Sequence, residues 1–357
     1  MILRRLSFVV ATIAGLLAPA AALVPSPAVA ATCQARAYVA NGDDNNVSVI
    51  DVATDEVVGS PITTGEEPTR VALTPGDSRL HVTDSAGNTL SIIDRATAAP
   101  IATLPVGLNP LGLAISPDAS TAYVTNFFAG STVTVVDLAT DTVDPTAITV
   151  GAGPTDVAFT PDGAHAYVPN SASSSVSVID TTTRTVPTTI AVDQSPSSVA
   201  VSPDGAKVYV GHQNAGNTIT VISTATNTVT GSITVGANVG GVAFTPDGTE
   251  ALVANFGDGT VSVIDVATDT VVGAAIPVGL GPARVAVTTD GAKAYVTNAN
   301  SGSVSVIDVA SRTVVATITV GRSPNGVALT ACTTPLTPLE PPAPAPAALT
   351  AVPRFTG

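Results

Sequence analysis

A four-residue block returns seven times along this chain, and its spacing decides what the chain can become. The copies are Tyr38-Val-Ala-Asn41, His81-Val-Thr-Asp84, Tyr123-Val-Thr-Asn126, Tyr167-Val-Pro-Asn170, Tyr209-Val-Gly-His212, Leu252-Val-Ala-Asn255 and Tyr295-Val-Thr-Asn298. Successive blocks lie 43, 42, 44, 42, 43 and 43 residues apart. A period of that length with strand-like composition means an array, a solenoid or a propeller. All five tyrosines of the chain stand in this one repeat position.

One unit shows which of the three it is. Between Gly281 and Gly321, Arg284 to Thr288 is an apolar run closed by the turn Thr289-Asp290-Gly291. Lys293 to Asn298 follows as a second strand. Ser303 to Asp308 alternates polar and apolar, as a half-buried strand does, and Thr313 to Val320 is a fourth. Four short strands joined by hairpin-length loops make a propeller blade. Leucine-rich and β-helical repeats have shorter periods, and a β-sandwich needs about 100 residues. The fold class is therefore all-β: a seven-bladed β-propeller of four-stranded antiparallel blades. The chain enters at a second strand, residues 36–41, and leaves after a first strand, residues 325–330. Those two ends should complete one blade between them, a velcro closure.

The flanks differ from the repeats. Arg4 and Arg5, an apolar stretch from Leu6 to Leu17 and Ala28-Val29-Ala30 read as a cleavable signal peptide over residues 1–30. The propeller occupies 31–332. Residues 333–357 carry seven prolines and read as an extended, disordered tail. The expectation is a secreted, extracellular or surface-associated protein with no membrane insertion after cleavage. The two cysteines, Cys33 and Cys332, align with the same turn position of the repeat. Two strand ends meeting at one hairpin position in an exported chain suit a disulfide.

Without the signal segment the chain has 11 Lys and Arg against 27 Asp and Glu, a balance of −16. Binding phosphate backbones relies on cationic side chains, so this charge argues against nucleic acid and anionic membranes as partners.

The blocks YVTN at 123–126 and 295–298, VSVIDVATDTVV at 261–272 and SPDG at 202–205 resemble the YVTN-repeat β-propeller family. The resemblance covers residues 36–330. It implies an exported propeller similar to lactonase-like and surface-layer-type members. It implies no single activity, because function resides in sites grafted onto a fold.

In that register, the residue preceding the first-strand Val or Leu rings the mouth of the central channel. The seven copies read Arg70, Gly112, Asp156, Ser198, Gly241, Arg284 and Gly326. Arg70, Asp156 and Arg284 form a candidate ligand site for a carboxylate or phosphate. The competing and favoured reading is that they pair with each other, with Glu66 and Glu67, or with solvent. Phe127, Phe128 and Phe256 lie in loops after the second strand, on the same face. They are candidate anchors for a partner, unless they fold beneath their loops.

Chemistry is otherwise sparse. His81, His165 and His212 are dispersed, and no Cys-x-x-Cys-His occurs. Neither Gly42-Asp-Asp-Asn-Asn46 nor Gly257-Asp-Gly259 completes a calcium loop. No metal, no cofactor and no catalytic residue is assigned. The expected function is a monomeric, non-enzymatic binding or scaffold module for a protein or cell-wall component. The alternative is a lactonase-like hydrolase working at the channel mouth.

Overall fold

The computed structural model describes residues 35–330, apart from 75, 77, 78, 129 and 214–216. Residues 1–30, read above as a signal peptide, Cys33, Cys332 and the proline-rich stretch 333–357 lie outside the described residues. Among the described residues the strands form seven separate antiparallel sheets. Blade 1 is numbered from the second strand Arg36–Asn41, and blade 7 contains Pro282–Val287, Lys293–Asn298, Ser303–Asp308 and Thr313–Thr319. Five inner strands begin with proline, at Pro68, Pro110, Pro196, Pro282 and Pro324. Proline has no N–H to donate, and the first residue of a strand tolerates that.

Closure follows the expected register. Pro324–Leu329 is the inner strand of blade 1 and pairs with Arg36–Asn41, with Ala37 opposite Leu329 and Ala40 opposite Gly326. At the seam Thr330 N donates to the Arg36 carbonyl at 2.9 Å. Arg36 N donates back to Thr330 Oγ1 at 2.8 Å.

Among the described residues the core is not one cluster but seven, one at each interface between blades. Tyr209, Ile219, Val221 and Ile233 of blade 5 pack against Val239, Ala251, Val253 and Ile264 of blade 6. The closing interface is built alike, from Tyr295, Val304 and Val306 with Ala37, Val39 and Ile50. The inner-strand alanines have a defined task here. Ala286 stands directly opposite Tyr295, and Ala114 opposite Tyr123. A small residue there leaves room for the ring. Alanine stands at this inner-strand position in every blade, from Ala72 to Ala328, and the cross-strand ring is one reason for it.

The third strands correct one expectation. Alternation suggested a half-buried strand, yet both faces are covered: Val304 and Val306 are buried, and so are Ser303 and Ser305. The serine face meets the neighbouring blade, and its hydroxyls accept hydrogen bonds. Asn298 Nδ2 donates to Ser303 Oγ at 3.2 Å and to Ser305 Oγ at 3.0 Å. The asparagine that ends five of the seven blocks is thus a buried clamp on the next strand. Asn41, Asn126, Asn170 and Asn255 do the same.

The outer strand breaks into two short pieces in blades 1, 3 and 6, for example Glu56–Val57 and Ile62–Thr63. These copies carry one residue more between third strand and loop than Thr313–Thr319 does, and the ladder cannot absorb it without a break. Six of the third strands close on an aspartate that caps the turn after it, and Ser223 stands there in blade 5. Asp308 Oδ1 accepts from Ser311 N at 2.8 Å and Ser311 Oγ at 2.7 Å. Those bonds hold its carboxyl below the ordinary value.

Blades are also tied on the lower face. Lys293, at the start of a second strand, reaches Asp55 in the outer hairpin of the following blade at 2.7 Å. Tyr295 Oη donates to the same carboxylate. Lys207 with Asp269, at 2.8 Å, and Arg79 with Asp141, at 2.8 Å, repeat the pairing. Blade 6 inverts it: Glu250 holds the strand position, and Arg312 of blade 7 approaches it at 2.6 Å.

Candidate functional site at the channel mouth

The upper face carries the loops that lead into each inner strand and those that leave each second strand. Just below it, a hydroxyl near the start of an inner strand reaches the next blade. Thr69 Oγ1 donates to the Pro110 carbonyl at 3.3 Å, and Ser197 Oγ to the Val239 carbonyl at 3.0 Å. Side chains in the next position meet at the axis.

Blade 4 is irregular at this level. Its inner strand is only Ala158–Phe159, preceded by an isolated bridge between Pro154 and Asn170. The cause is Pro169, where other blades have Thr, Gly or Ala. Proline removes a ladder donor from the neighbouring strand. Freed from regular pairing, Asp156 turns its carboxylate back onto Val157 N, 3.1 Å away, and inward to the axis.

There Asp156 lies between two guanidinium groups from non-adjacent blades. Arg70 Nε of blade 2 is 3.7 Å from Oδ1, and Arg284 Nη2 of blade 7 is 3.2 Å from Oδ2. The three side chains are only 13–16% exposed. Arg70 Nη1 also donates to the Thr69 carbonyl at 3.4 Å, and Arg284 Nη1 to that of Gly240. Burial pushes the Asp156 carboxyl up, opposed by the charge of Arg70 and by the N–H groups of Val157 and Val199. Burial pulls Arg70 down, opposed by Asp156, but a guanidinium stays protonated at any ordinary pH. The sequence-predicted residues Arg70, Asp156 and Arg284 are therefore brought together, and they pair with one another as the favoured reading had it. Glu66 and Glu67 take no part in these ion pairs.

Each charged member needs a glycine in the blade before it. A Cβ on Gly112 would lie 2.6 Å from Asp156 Cα, one on Gly241 3.0 Å from Arg284 Cδ, and one on Gly326 3.1 Å from Arg70 Cα. Ser198, the remaining ring position, keeps its hydroxyl off the axis. A Cβ on Gly211 would come within 2.5 Å of that oxygen, which fills the space taken by threonine in blades 2, 3 and 7.

The three phenylalanines separate. Phe128 is 57% exposed, while Phe127 and Phe256 are half-buried. Phe127 meets Phe128 edge to face with centroids 4.9 Å apart. Phe256 lies against the loop at Gly281. Two leucines missed in the sequence join them: Leu108, 48% exposed, and Leu280, 67% exposed. The signal was available. In the loop entering each inner strand, that position reads Glu66, Leu108, Ala152, Gln194, Ala237, Leu280 and Arg322, so the two leucines depart from a small or polar rule. Phe128 N donates to the Leu108 carbonyl at 3.3 Å, which gathers Leu108, Phe127 and Phe128 on blade 3. Phe256 and Leu280 form a second group where blades 6 and 7 meet.

Two block residues differ from the asparagine clamp. His212 is buried, and its Nδ1 must donate to the Gln194 carbonyl, 3.1 Å away, since a carbonyl only accepts. Nε2 then accepts from Thr220 Oγ1 at 2.8 Å, and burial holds the ring's pKa down. Asp84 accepts from Thr89 Oγ1 at 3.0 Å and Ser91 Oγ at 2.7 Å. Burial pushes its carboxyl up, opposed by those two hydroxyls and by the N–H of Gly65. On the lower face a cleft of about 530 Å³ lies between blades 6 and 7. Its charges are already engaged: Glu250 with Arg312, and Asp247 and Asp290 with turn hydroxyls. Among the described residues no three His, Cys, Asp or Glu side chains converge as a metal site.

Fold and site together define a seven-bladed β-propeller with an ion cluster spanning its channel. The sequence profile of the YNCE-like beta-propeller family matches residues 1–129 and 240–334, and the chain belongs to that family. The stretch between the two matches folds into blades of the same kind, and it contains the Pro169 irregularity. No curated protein matches the sequence. Among solved structures, a functionally unknown protein from Desulfotomaculum acetoxidans DSM 771 is similar, with a TM-score of 0.72 at 18% identity, over 83% of this chain and 99% of that one. Kuenenia stuttgartiensis Hydrazine Synthase is similar with a TM-score of 0.67 at 23% identity, over 72% of this chain and 88% of that one. At these identities the likeness is one of fold.

Proposed function

We propose that this chain is an exported, non-enzymatic binding propeller of the YVTN-repeat type, working at the cell surface or in the extracellular space. Its upper face engages a protein or a cell-wall component. The observation that carries this reading is the exposure of Leu108, Phe128 and Leu280 in loops whose other copies are small or polar. Large apolar side chains left in water at equivalent loop positions are a cost without a partner to cover them. Aromatic anchors supply much of the energy where a partner binds. The two groups sit on blade 3 and at the junction of blades 6 and 7, three blades apart in either direction round the ring. A ligand touching both would span the channel mouth. The axial carboxylate, meanwhile, is held by two arginines rather than poised against a nucleophile. Export is supported by the basic pair, apolar run and Ala28-Val29-Ala30 at the N-terminus, and the acidic balance weighs against a polyanionic partner.

The test is co-sedimentation of the purified protein with bacterial cell-wall fragments. A triple variant, Leu108→Ser, Phe128→Ser and Leu280→Ser, should bind at least tenfold more weakly while its melting temperature stays near that of the parent. Undiminished binding by that variant would remove the upper face from the reading. Turnover of any lactone, lost on Asp156→Ala, would replace it with the hydrolase alternative.

A further inference from the structure

The lower-face ties between blades share one pattern, and the interface of blades 6 and 7 departs from it. Between blades 5 and 6, Lys207 Nζ donates to the Val266 carbonyl at 2.6 Å and to Asp269 at 2.8 Å, and Tyr209 Oη donates to the same aspartate. Between blades 7 and 1, Lys293 Nζ donates to the Val52 carbonyl at 3.0 Å and to Asp55 at 2.7 Å, again beside a tyrosine, Tyr295. In blade 6, Glu250 and Leu252 hold the lysine and tyrosine positions. Glutamate is shorter than lysine and accepts rather than donates, and leucine brings no hydroxyl. The cleft of about 530 Å³ opens at this interface, with Glu250, Val309, Asp247 and Asp290 in its wall. Val309 follows Asp308 as Val266 follows Asp265, so its carbonyl is the counterpart of the two that accept from a lysine. Among the described residues no donor reaches it. Arg312 turns to blade 6 instead, donating to the Val272 carbonyl at 3.4 Å and to Glu250 Oε1 at 2.6 Å. The other Glu250 oxygen is not used in that pair, and Glu250 keeps 23% of its side chain exposed.

From this comparison of equivalent interfaces we infer that the cleft binds a primary alkylammonium group, which donates to the Val309 carbonyl and to Glu250 Oε2. An ammonium carries three N–H donors, and it is the group that the chain itself sets against this carbonyl position in two other blades. Its alkyl stem runs along Ala292 and Ala310 in the wall of the cleft. Asp247, Glu250 and Asp290 against Arg312 leave a local balance of −2, which favours a cation and leaves room for a second one. The same group is borne by a free diamine and by a lysine side chain. The site lies on the face opposite Leu108, Phe128 and Leu280 and does not depend on the partner-binding reading.

The experiment is calorimetric titration of the purified protein, in an amine-free buffer at constant ionic strength, with the chlorides of butylammonium, 1,5-diaminopentane, Nα-acetyl-lysine methylamide and tetramethylammonium. The first three should bind saturably. Tetramethylammonium has the charge but no N–H, and should bind at least tenfold more weakly. Diaminopentane binding at least tenfold tighter than the lysine amide would assign the cleft to free diamines, and equal binding would assign it to lysine side chains; both outcomes support the inference. Glu250→Gln should weaken butylammonium binding at least tenfold. The triple variant Glu250→Lys, Leu252→Tyr and Arg312→Asp rewrites the interface as that of blades 5 and 6, so the chain's own lysine takes the carbonyl and binding should be lost. If the triple variant does not fold, Glu250→Gln decides alone. Three results would each overturn the inference: no saturable binding of butylammonium, equal binding of tetramethylammonium, or unchanged butylammonium binding in Glu250→Gln and the triple variant alike.

Discussion

Asp84 shows how one residue can be wrong for its surroundings and still be kept. Five blades place asparagine there and give its Nδ2 to hydroxyls of the third strand. The carboxylate of Asp84 receives those hydroxyls instead, inside a site with no exposed surface. Burial raises its pKa in the folded state, so ionised Asp84 opposes folding. That penalty is absent below the unfolded pKa and grows as pH rises through the folded one. Asp84→Asn should therefore stabilise the protein by about 1 kcal/mol at pH 7. The gain should shrink as pH is lowered toward 4, as urea unfolding at several pH values would show. Gly112 makes the opposite case. A methyl group there meets the backbone of Asp156 at 2.6 Å, and backbone cannot swing aside. Gly112→Ala should cost about 1–3 kcal/mol and lower the melting temperature.

At the scale of strands, the repeat made almost everything legible. Strand order, hairpin turns and the shared closing blade all follow from seven blocks with a near-constant spacing. Two features did not. The doubly buried serine face was invisible because alternation in one strand says nothing of a second sheet packed upon it. The broken inner strand of blade 4 was written in Pro169, but its effect falls on residues 13 positions away, across the ladder. For the site, the register correctly placed Arg70, Asp156 and Arg284 in one ring. It could not tell that a carboxylate reaches two blades in opposite directions, since that depends on backbone freed by the proline. The lower-face pairs carry a further rule. A cation at the start of a second strand meets an acid in the next outer hairpin, and Glu250 with Arg312 reverses the signs. Glu250→Lys alone sets like charges together and should cost about 0.5–1 kcal/mol. Adding Arg312→Asp should recover most of that. A double-mutant cycle by urea unfolding at low salt measures the coupling, and a value of zero would mean the contact carries no energy.

For the whole molecule, closure is the governing fact. The described ends meet at Arg36 and Thr330, and we expect Cys33 and Cys332, just beyond them, to be bonded. Unreduced protein should then weigh two hydrogens less than reduced protein, with no thiol open to alkylation. In a chain-entropy view, reduction removes up to about 5 kcal/mol. It should lower the melting temperature without changing the blades. The split blade has another consequence, for where the fold begins to come apart. A linear array of repeats has two terminal units, each held by a single neighbour, and it frays from them. Here every blade is flanked on both sides, so none is terminal and opening any one sacrifices two interfaces. Backbone amides in the second and third strands should therefore exchange with solvent at similar rates in all seven blades. Deleting the strand Pro324–Leu329 would restore a free end, and exchange should then accelerate in blade 1 first and in its neighbours afterwards.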